Sequence, residues 1–499
     1  MPDEHADVVV VGGGPAGATA AAFVAMCGLR VIVLEAARFP RYQVGESLMV
    51  STVQGIACAL GVRAEVDAAG FVRKPGGVFR WGDGDDLWTL SFTQARQLTS
   101  RDSNYALHVE RAHFDRILLD HARRVGADVR EGAKVQAPIV ELDRLAGIVY
   151  RAADGTIRTV RARYVVDASG HASVLSSYAG RRVYSHFFRN LAFFAYYRDA
   201  GRLMPPLEGA GISEAFRDGW MWFLPLSREL TGVGAVVGSE HAELLQGDQD
   251  RLMHQFLSDC PHIGRLLSSA TRIKVGQYGK YRVRRDFSYT TERFWRPGLA
   301  LIGDAACFLD PLFTTGVHFA TYAALLAARS IVAVIRDGLP ETKCFDEFEH
   351  RYRLEFELFY NYVIAYYDMH VEPEGEFWAT RKIERNGDLE NPEFVHLLTQ
   401  GAVSPEAYFA AKRGIGRAAQ IYVDRIKHSA DDDARAAISR AMAEDLHHGF
   451  QPAGFAPPFH LGFEDIRRMS WDPDQRTTAR YVSRRGLVPS SDGRSWSTA

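Results

Sequence analysis

Four consecutive valines, Val8–Val11, open the chain's patterned region. A glycine cluster follows, then the small apolar stretch Ala18–Ala25, then a second apolar run, Val31–Leu34. A β-branched run of strand length predicts a strand buried on both faces of a parallel sheet. Small apolar residues at helix length predict a helix packed closely on it. The buried-strand signature returns at Arg163–Asp167 and at Gly298–Asp304, and Gly316–Ile335 reads as a long apolar helix. Leu48–Leu60 is apolar and helical, with Glu46 or Ser47 placed to cap it. Val78–Trp81 and Leu87–Leu90 alternate, predicting a hairpin around Gly82–Asp86. Between His108 and Val125 the chain is amphipathic, with Phe114, Ile117, Leu118, His121 and Ala122 at helical spacing, and Val129–Ile148 alternates as strands.

The pattern changes between residues 180 and 290. Strand-like aromatic segments dominate there, at Leu191–Tyr197, Trp220–Leu224, Gly232–Val237 and Val275–Val283, predicting a second, antiparallel sheet. Beyond residue 340 the chain is charged and helical, with aromatic residues at Phe356, Phe359, Tyr360, Tyr362, Tyr366 and Tyr367. After Gly486 it is Ser/Arg/Gly-rich and is expected to fray. The expected organisation is a nucleotide domain in two parts, residues 1–180 (with a small β insert near 71–107) and 291–338. A mainly antiparallel subdomain, 181–290, separates them, and a C-terminal helical extension covers 339–499.

Composition narrows the function classes. A chain of 499 residues is too long for one ordinary core. The net charge of −2 gives no sign of a nucleic-acid or anionic-membrane partner. No run reaches the roughly 18 consecutive apolar residues that a membrane span needs. The start MPDEHAD has no basic region of the kind that opens a signal peptide. Five cysteines (Cys27, Cys58, Cys260, Cys307, Cys344) stand without a CxxC pair, so free thiols and a cytoplasmic location are expected. Neither His108/His113 nor His447-His448 has partners at ligand spacing, so no metal is expected.

Gly12, Gly14 and Gly17 keep the G-x-G-x-x-G spacing between the first strand and the first helix. Gly12 permits the sharp turn, Gly14 lets a pyrophosphate approach the backbone, and Gly17 lets the helix pack on the strand. The helix N-terminus offers free N–H groups to the phosphates. Glu35, at the end of the second strand, is placed to accept from a ribose hydroxyl. Together these predict a bound dinucleotide.

The order of glycine loop, acidic ribose anchor, all-β insert and Gly303-Asp304-Ala305 turn resembles the flavoproteins of the aromatic-hydroxylase type. That resemblance covers residues 7 to about 335. It implies an α/β fold: a GR2-type, Rossmann-like FAD-binding domain with an antiparallel β-sheet substrate subdomain. It implies FAD held at Gly12, Gly14, Pro15, Ala16, Gly17 and Glu35. Arg41 of Phe39-Pro40-Arg41, Ser47 of Gly45-Glu46-Ser47, and Arg111 of the V-x-R-x-x-F-D pattern (Val109–Asp115) join them, as do Asp304, Pro311, Gly316 and Val317.

Three finer features resemble the flavin-dependent halogenases. Trp220-Met221-Trp222-Phe223-Leu224-Pro225 is similar to their W-x-W-x-I-P signature, with a volume-conserving Leu224 for Ile. Lys74, in Phe71–Gly77, fits the family's lysine near a glycine-containing segment. A lysine out of water can hydrogen-bond hypohalous acid or form a haloamine with it. Asp310–His318 is similar to the family's D-P-x-[FL]-[ST]-[ST]-G-V segment, which implies halide at the backbone N–H groups of Thr315 and Gly316. Trp220, Trp222, Pro225 and Phe313 would then wall a passage to Lys74. The Asp-Gly pair and Arg that NADPH-binding hydroxylases carry are broken here to Asp167-Ala168-Ser169-Gly170, implying reduced FAD from a separate flavin reductase.

The resemblance therefore implies chlorination of an electron-rich aromatic through flavin hydroperoxide and hypochlorous acid, with FAD and chloride as cofactors. The chain looks closer to the branch acting on phenolic or pyrrolic acyl groups, often tethered to an acyl or peptidyl carrier protein, than to the tryptophan halogenases with their longer insert. The C-terminal aromatics, with Phe377 and Trp378, would close over the substrate or simply build core. Alternatives with the same cofactor signatures are an FAD-dependent aromatic monooxygenase and an isoprenoid-reductase-like flavoprotein.

Overall fold

In the computed structural model, which describes residues 4–82, 86–92, 105–285, 288–370, 376–379, 486–498 and a few residues between 425 and 438, the valine run becomes the buried half of the strand Glu4–Val11. Val8, Val9 and Val10 are fully enclosed because parallel strands flank them on both sides, Val31–Glu35 on one and Ile157–Asp167 on the other. Asp128–Glu131 extends the sheet beyond Val31–Glu35. On the far side the chain returns after its second sheet to add Leu299–Leu301 beside Val165–Asp167, in parallel register. The helices Pro15–Met26 and Gly316–Ile335 pack together on this sheet. Gly316–Ile335 is long and apolar enough to cross a membrane, but 89% of its apolar window is buried inside the protein, so it is a core helix.

The second sheet runs in the order Thr271–Arg272, Asn190–Arg198, Thr231–Gly238, Gly219–Pro225, Gly211–Phe216, Gly76–Arg80, Trp88–Ser91. Its neighbours are antiparallel except Gly211–Phe216 and Gly76–Arg80, which are parallel. The hairpin expected as an insert in the first unit is therefore the far edge of this sheet. Side-chain alternation gives it two apolar faces. Phe194, Tyr196, Trp220 and Trp222 face the main core, while Phe193, Met221 and Phe223 face a smaller one. The smaller core is closed by the helix Gln249–Asp259, whose start Asp248 caps by accepting from the N–H groups of Asp250 and Arg251.

Four expectations are corrected. Glu46 and Ser47 do not cap a helix: the stretch opens as π-helix at Ser51–Ile56 with Val50 before it, and both side chains point to other partners. The amphipathic helix begins at Arg111, because His108 is drawn into the strand Ala106–His108. Val275–Val283 is not one strand; Gly276–Tyr278 is a 3-10 turn and strand starts only at Arg282. The segment after Gly486 does not fray. Leu487–Pro489 and Trp496–Thr498 pair as a hairpin, and Trp496 is buried with its Nε1 donating to Ser330 Oγ at 2.8 Å. Arg329 and Arg351 flank its ring at 4.7 and 4.9 Å. The C-terminal extension is helical over Glu341–Met369 and Glu376–Ala379; Tyr362's side chain and most of 380–485 lie outside the described residues.

Candidate active site

Close approach shapes the glycine loop. A Cβ on Gly17 would lie 1.8 Å from Gly12 O, and one on Gly12 would lie 2.5 Å from Ala168 O, with Gly12 itself at φ +99°. Both glycines are thus required by the first sheet and helix. Gly14 differs: the only atom near its missing Cβ is Arg41 Nη2 at 3.2 Å. That leaves the Pro15–Met26 helix start facing the Arg41 guanidinium, two groups that both favour a pyrophosphate. Pro15 and Ala16 form the buried first turn. Glu35 closes the loop from the side, its carboxylate accepting from Gly13 N at 2.6 Å and Ala37 N at 2.7 Å.

Arg41 and Arg111 are brought together by a residue the sequence reading left unassigned. Asp115, fully buried, accepts from Arg41 Nη1 at 2.9 Å and from Arg111 Nε and Nη2 at 2.7 and 3.0 Å. Burial works against Arg111's charge, and the Asp115 pair more than offsets it, keeping the guanidinium protonated. Arg111 Nη1 also donates to Val44 O at 2.6 Å and Gly45 O at 3.3 Å. Across the cleft, burial pushes the Asp304 carboxyl up to about 6, against the pull of Arg111, Arg182 and Arg284. The glycine cradle, the paired arginines and the acidic Gly303–Ala305 turn are a donor and acceptor set that fits FAD.

Lys74 ends the short strand Val72–Lys74 and is 8% exposed. Its Nζ donates to Ser47 Oγ at 3.0 Å and to Thr314 Oγ1 at 3.5 Å, and lies 5.6 Å from the Phe92 ring centroid. Burial lowers the ammonium to about 8. Ser47, expected at the cofactor, is thus also the lysine's acceptor. Thr314 sits at φ +58° in the turn between Pro311–Phe313 and the Gly316–Ile335 helix. Thr315 and Val317 in that turn are buried, and the first amides of such a helix have no intrahelical acceptor. Lysine and turn, distant in sequence, share one hydroxyl contact.

The aromatic wall stands behind them. Trp220 and Trp222 project from one face of Gly219–Pro225, ring centroids 6.0 Å apart. Trp220 Nε1 donates to Tyr367 Oη at 2.7 Å, and Tyr367 Oη donates to Asp310 Oδ2 at 2.9 Å. Asn190 Nδ2 donates to the same carboxylate oxygen at 3.0 Å. Phe313, in the Asp-Pro turn, meets Tyr366 edge-on at 4.5 Å. Trp378 packs on Trp81 at 5.2 Å and Tyr367 at 5.6 Å and is fully buried. The described C-terminal aromatics Tyr360, Tyr366, Tyr367, Phe377 and Trp378 are all core, backing the tryptophans.

His108, Asn190 and Tyr196 were not singled out as site residues from the sequence, and Tyr367 only as one of the aromatics that would close over the substrate. Tyr196 hydrogen-bonds Glu46, whose carboxyl burial raises, and Tyr42 at 2.8 Å. Strand pairing places His108, Asn190 and Tyr196, and the Glu341–Met369 helix places Tyr367; the one sequence signal was His108's position just before Val109-Glu110-Arg111.

Comparison with known proteins gives one consistent result. The tryptophan halogenase family model matches residues 7–103 and 94–409. The tryptophan 2-halogenase of Chondromyces crocatus is 31% identical over 380 residues, 75% of this chain and 70% of that protein. The 1H-pyrrole-2-carbonyl-[peptidyl-carrier protein] chlorinase of Pseudomonas fluorescens is 27% identical over 391 residues, 74% of this chain and 85% of that protein. Among solved structures, the myxobacterial chondrochloren halogenase CndH superposes with a TM-score of 0.77 at 38% identity, covering 99% of this chain and 100% of that one.

Proposed function

Because this chain belongs to the tryptophan halogenase family and is a flavin-dependent halogenase of aromatic compounds in secondary metabolism, we propose that it chlorinates a phenolic or pyrrolic ring presented as an acyl group on a carrier protein. The observation that carries the reading is Lys74: a buried lysine whose hydrogen bonds, among the described residues, go only to two hydroxyls. An ammonium out of water with no carboxylate beside it has no role in holding the fold, and its depressed proton affinity suits it to hold or polarise hypohalous acid. The carrier-bound pyrrole of the P. fluorescens relative supports the substrate class.

In this reading the first sheet is the FAD-binding domain and the second sheet the substrate subdomain. Gly12, Gly14, Pro15, Ala16, Gly17 and Arg41 hold the pyrophosphate and Glu35 the ribose. Ser47, Arg111, Asp304, Pro311, Gly316 and Val317 line the flavin half. Reduced FAD, supplied by a separate flavin reductase, provides hypohalous acid from oxygen and halide when bound. The chain's own residues then do the rest. Thr315 and Gly316 hold the halide by their N–H groups. Trp220, Trp222, Pro225 and Phe313 exclude water and keep the aromatic substrate from the flavin. Lys74 orients the oxidant toward the ring.

Mass spectrometry of turnover mixtures tests this, using FAD, a flavin reductase, NADH and chloride or bromide with free and carrier-linked phenols and pyrroles. Halide-dependent mass gain on the carrier-linked ring is expected. A hydroxylated product independent of halide would move the reading to an aromatic monooxygenase.

A further inference from the structure

Two segments distant in sequence run side by side next to Lys74, and they are tied at both ends. At one end Ser47 and Thr314 both accept from Lys74 Nζ. Four residues along each segment, Ser51 Oγ and His318 Nδ1 lie 2.9 Å apart. The other ring nitrogen of His318, Nε2, is 2.6 Å from Glu355 Oε1 on the Glu341–Met369 helix. All three side chains are buried. The imidazole is further fixed by Tyr322, stacked at 5.9 Å, and Phe359, edge-on at 5.6 Å. The carboxylate accepts from Nε2–H, and the serine hydroxyl, which can donate or accept, meets Nδ1.

This triad is an expensive way to join three buried side chains from three elements. Buried charge–imidazole pairs contribute little net stability compared with well-packed apolar side chains of the same volume. Its distinguishing property is direction: it holds one orientation of the ring in the first turn of the helix that carries the N–H groups of Thr315 and Gly316. Ser51 is also the first residue of a π-helical turn, a form concentrated at functional sites.

We propose that Glu355, His318 and Ser51 are a positioning relay that holds the halide-binding turn in register with the seat of Lys74. The relay rests on the functional reading above and adds to it: it sets how tightly halide is held and how far it stands from the lysine. None of the three residues touches halide, cofactor or substrate.

The test is chloride binding by the full chain without FAD, read from NMR line broadening of the chloride signal, beside steady-state halide kinetics of the FAD-loaded enzyme. Ser51→Ala and His318→Gln are expected to weaken chloride about tenfold. The KM for chloride should rise by the same factor, while kcat at saturating chloride falls less than about threefold. Ser51→Thr, which keeps the hydroxyl, restores both. Should Ser51→Ala not fold, Glu355→Gln keeps volume and acceptor while removing the charge, and is expected to weaken chloride in the same direction. Variants that bind chloride within about twofold of the parent overturn the relay, as does loss of kcat at unchanged KM. A parent chain that neither broadens the chloride signal nor forms halogenated product overturns the functional reading, and the relay with it.

Discussion

Lys74 and His108 lie on one face of a two-stranded ribbon, two residues out of register: Val72 stands opposite His108, and Lys74 opposite Ala106. Residues opposite each other in an antiparallel pair share a face, as do residues two apart. The imidazole is fully buried with neither ring nitrogen hydrogen-bonded among the described residues, and burial together with Lys74 keeps it well below 6.5. A neutral ring beside a desolvated ammonium offers no countercharge, so Lys74 burdens the fold.

That burden can be measured. A lysine at about 8 folded and 10.5 unfolded destabilises the native state fully below pH 8. Between those values the unfolded chain binds more protons, so the parent gains stability as pH rises, and above 10.5 the penalty is gone. Lys74→Met, of similar volume, is therefore expected to stabilise the chain at neutral pH by on the order of 3 kcal/mol. Denaturant midpoints at neutral pH and near 10.5 check it. An equal gain at both would show that packing, not charge, is responsible.

The same residue divides oxidant formation from its use. Lys74→Ala is expected to lower halogenated product by about two orders of magnitude while reduced flavin is still oxidised. A thiol scavenger and product mass spectrometry read the two fates separately. Product at the parental rate would end the lysine assignment.

Gly234 makes room for the aromatic wall. A Cβ there would stand 2.3 Å from Trp222 Cζ2 and 2.5 Å from Phe194 Cβ. Gly234→Ala must displace Trp222 or bend the strand, at a cost of about 1–3 kcal/mol. Thermal denaturation gives the cost, and a shift in tryptophan fluorescence gives the displacement. An unchanged spectrum with unchanged turnover would show that the wall tolerates the methyl.

The terminal hairpin is expected to be structural. Trp496→Ala removes a buried indole from between Arg329, Arg351 and Ser330 and should cost about 3–5 kcal/mol. A melting temperature within error of the parent's would show the hairpin to be dispensable.

The first sheet was legible because its signals are local. Val8–Val11, the glycine spacing and Glu35 each report a buried parallel strand or its turn without help from elsewhere. The Gly316–Ile335 helix was equally plain, by length and apolarity. Pairing was not legible. Nothing in Gly76–Arg80 announces a parallel partner at Gly211–Phe216, so the hairpin was assigned to the wrong unit. His108 read as helix because an amphipathic stretch adjoins it, and the ribbon with Val72 overrode that periodicity. Gln249–Asp259 is short and charged on its outer face, a weak signal inside a strand-rich region. The terminal tryptophan looked like a frayed tail because its neighbours are Ser, Arg and Gly, while its burial depends on a groove made by remote helices. The candidate site divided the same way: Lys74 and Asp304 stood out by motif, Asp115 stood in its motif without a role, and Asn190, which donates to Asp310, carried no local signal.

The return of the chain to its first sheet bears on synthesis. The strand end Val165–Asp167 leaves the ribosome with one edge unsatisfied, the Ile157–Arg161 end being paired already by Arg144–Arg151, and its partner Leu299–Leu301 emerges only after the whole second sheet has been made. During that interval an open strand edge faces solvent, where such edges invite association. The helix carrying Thr315 and Gly316 arrives later still. On the reading proposed above, a nascent chain can hold the adenosine end of a flavin well before it can hold a halide, and no oxidant is made until that helix has emerged.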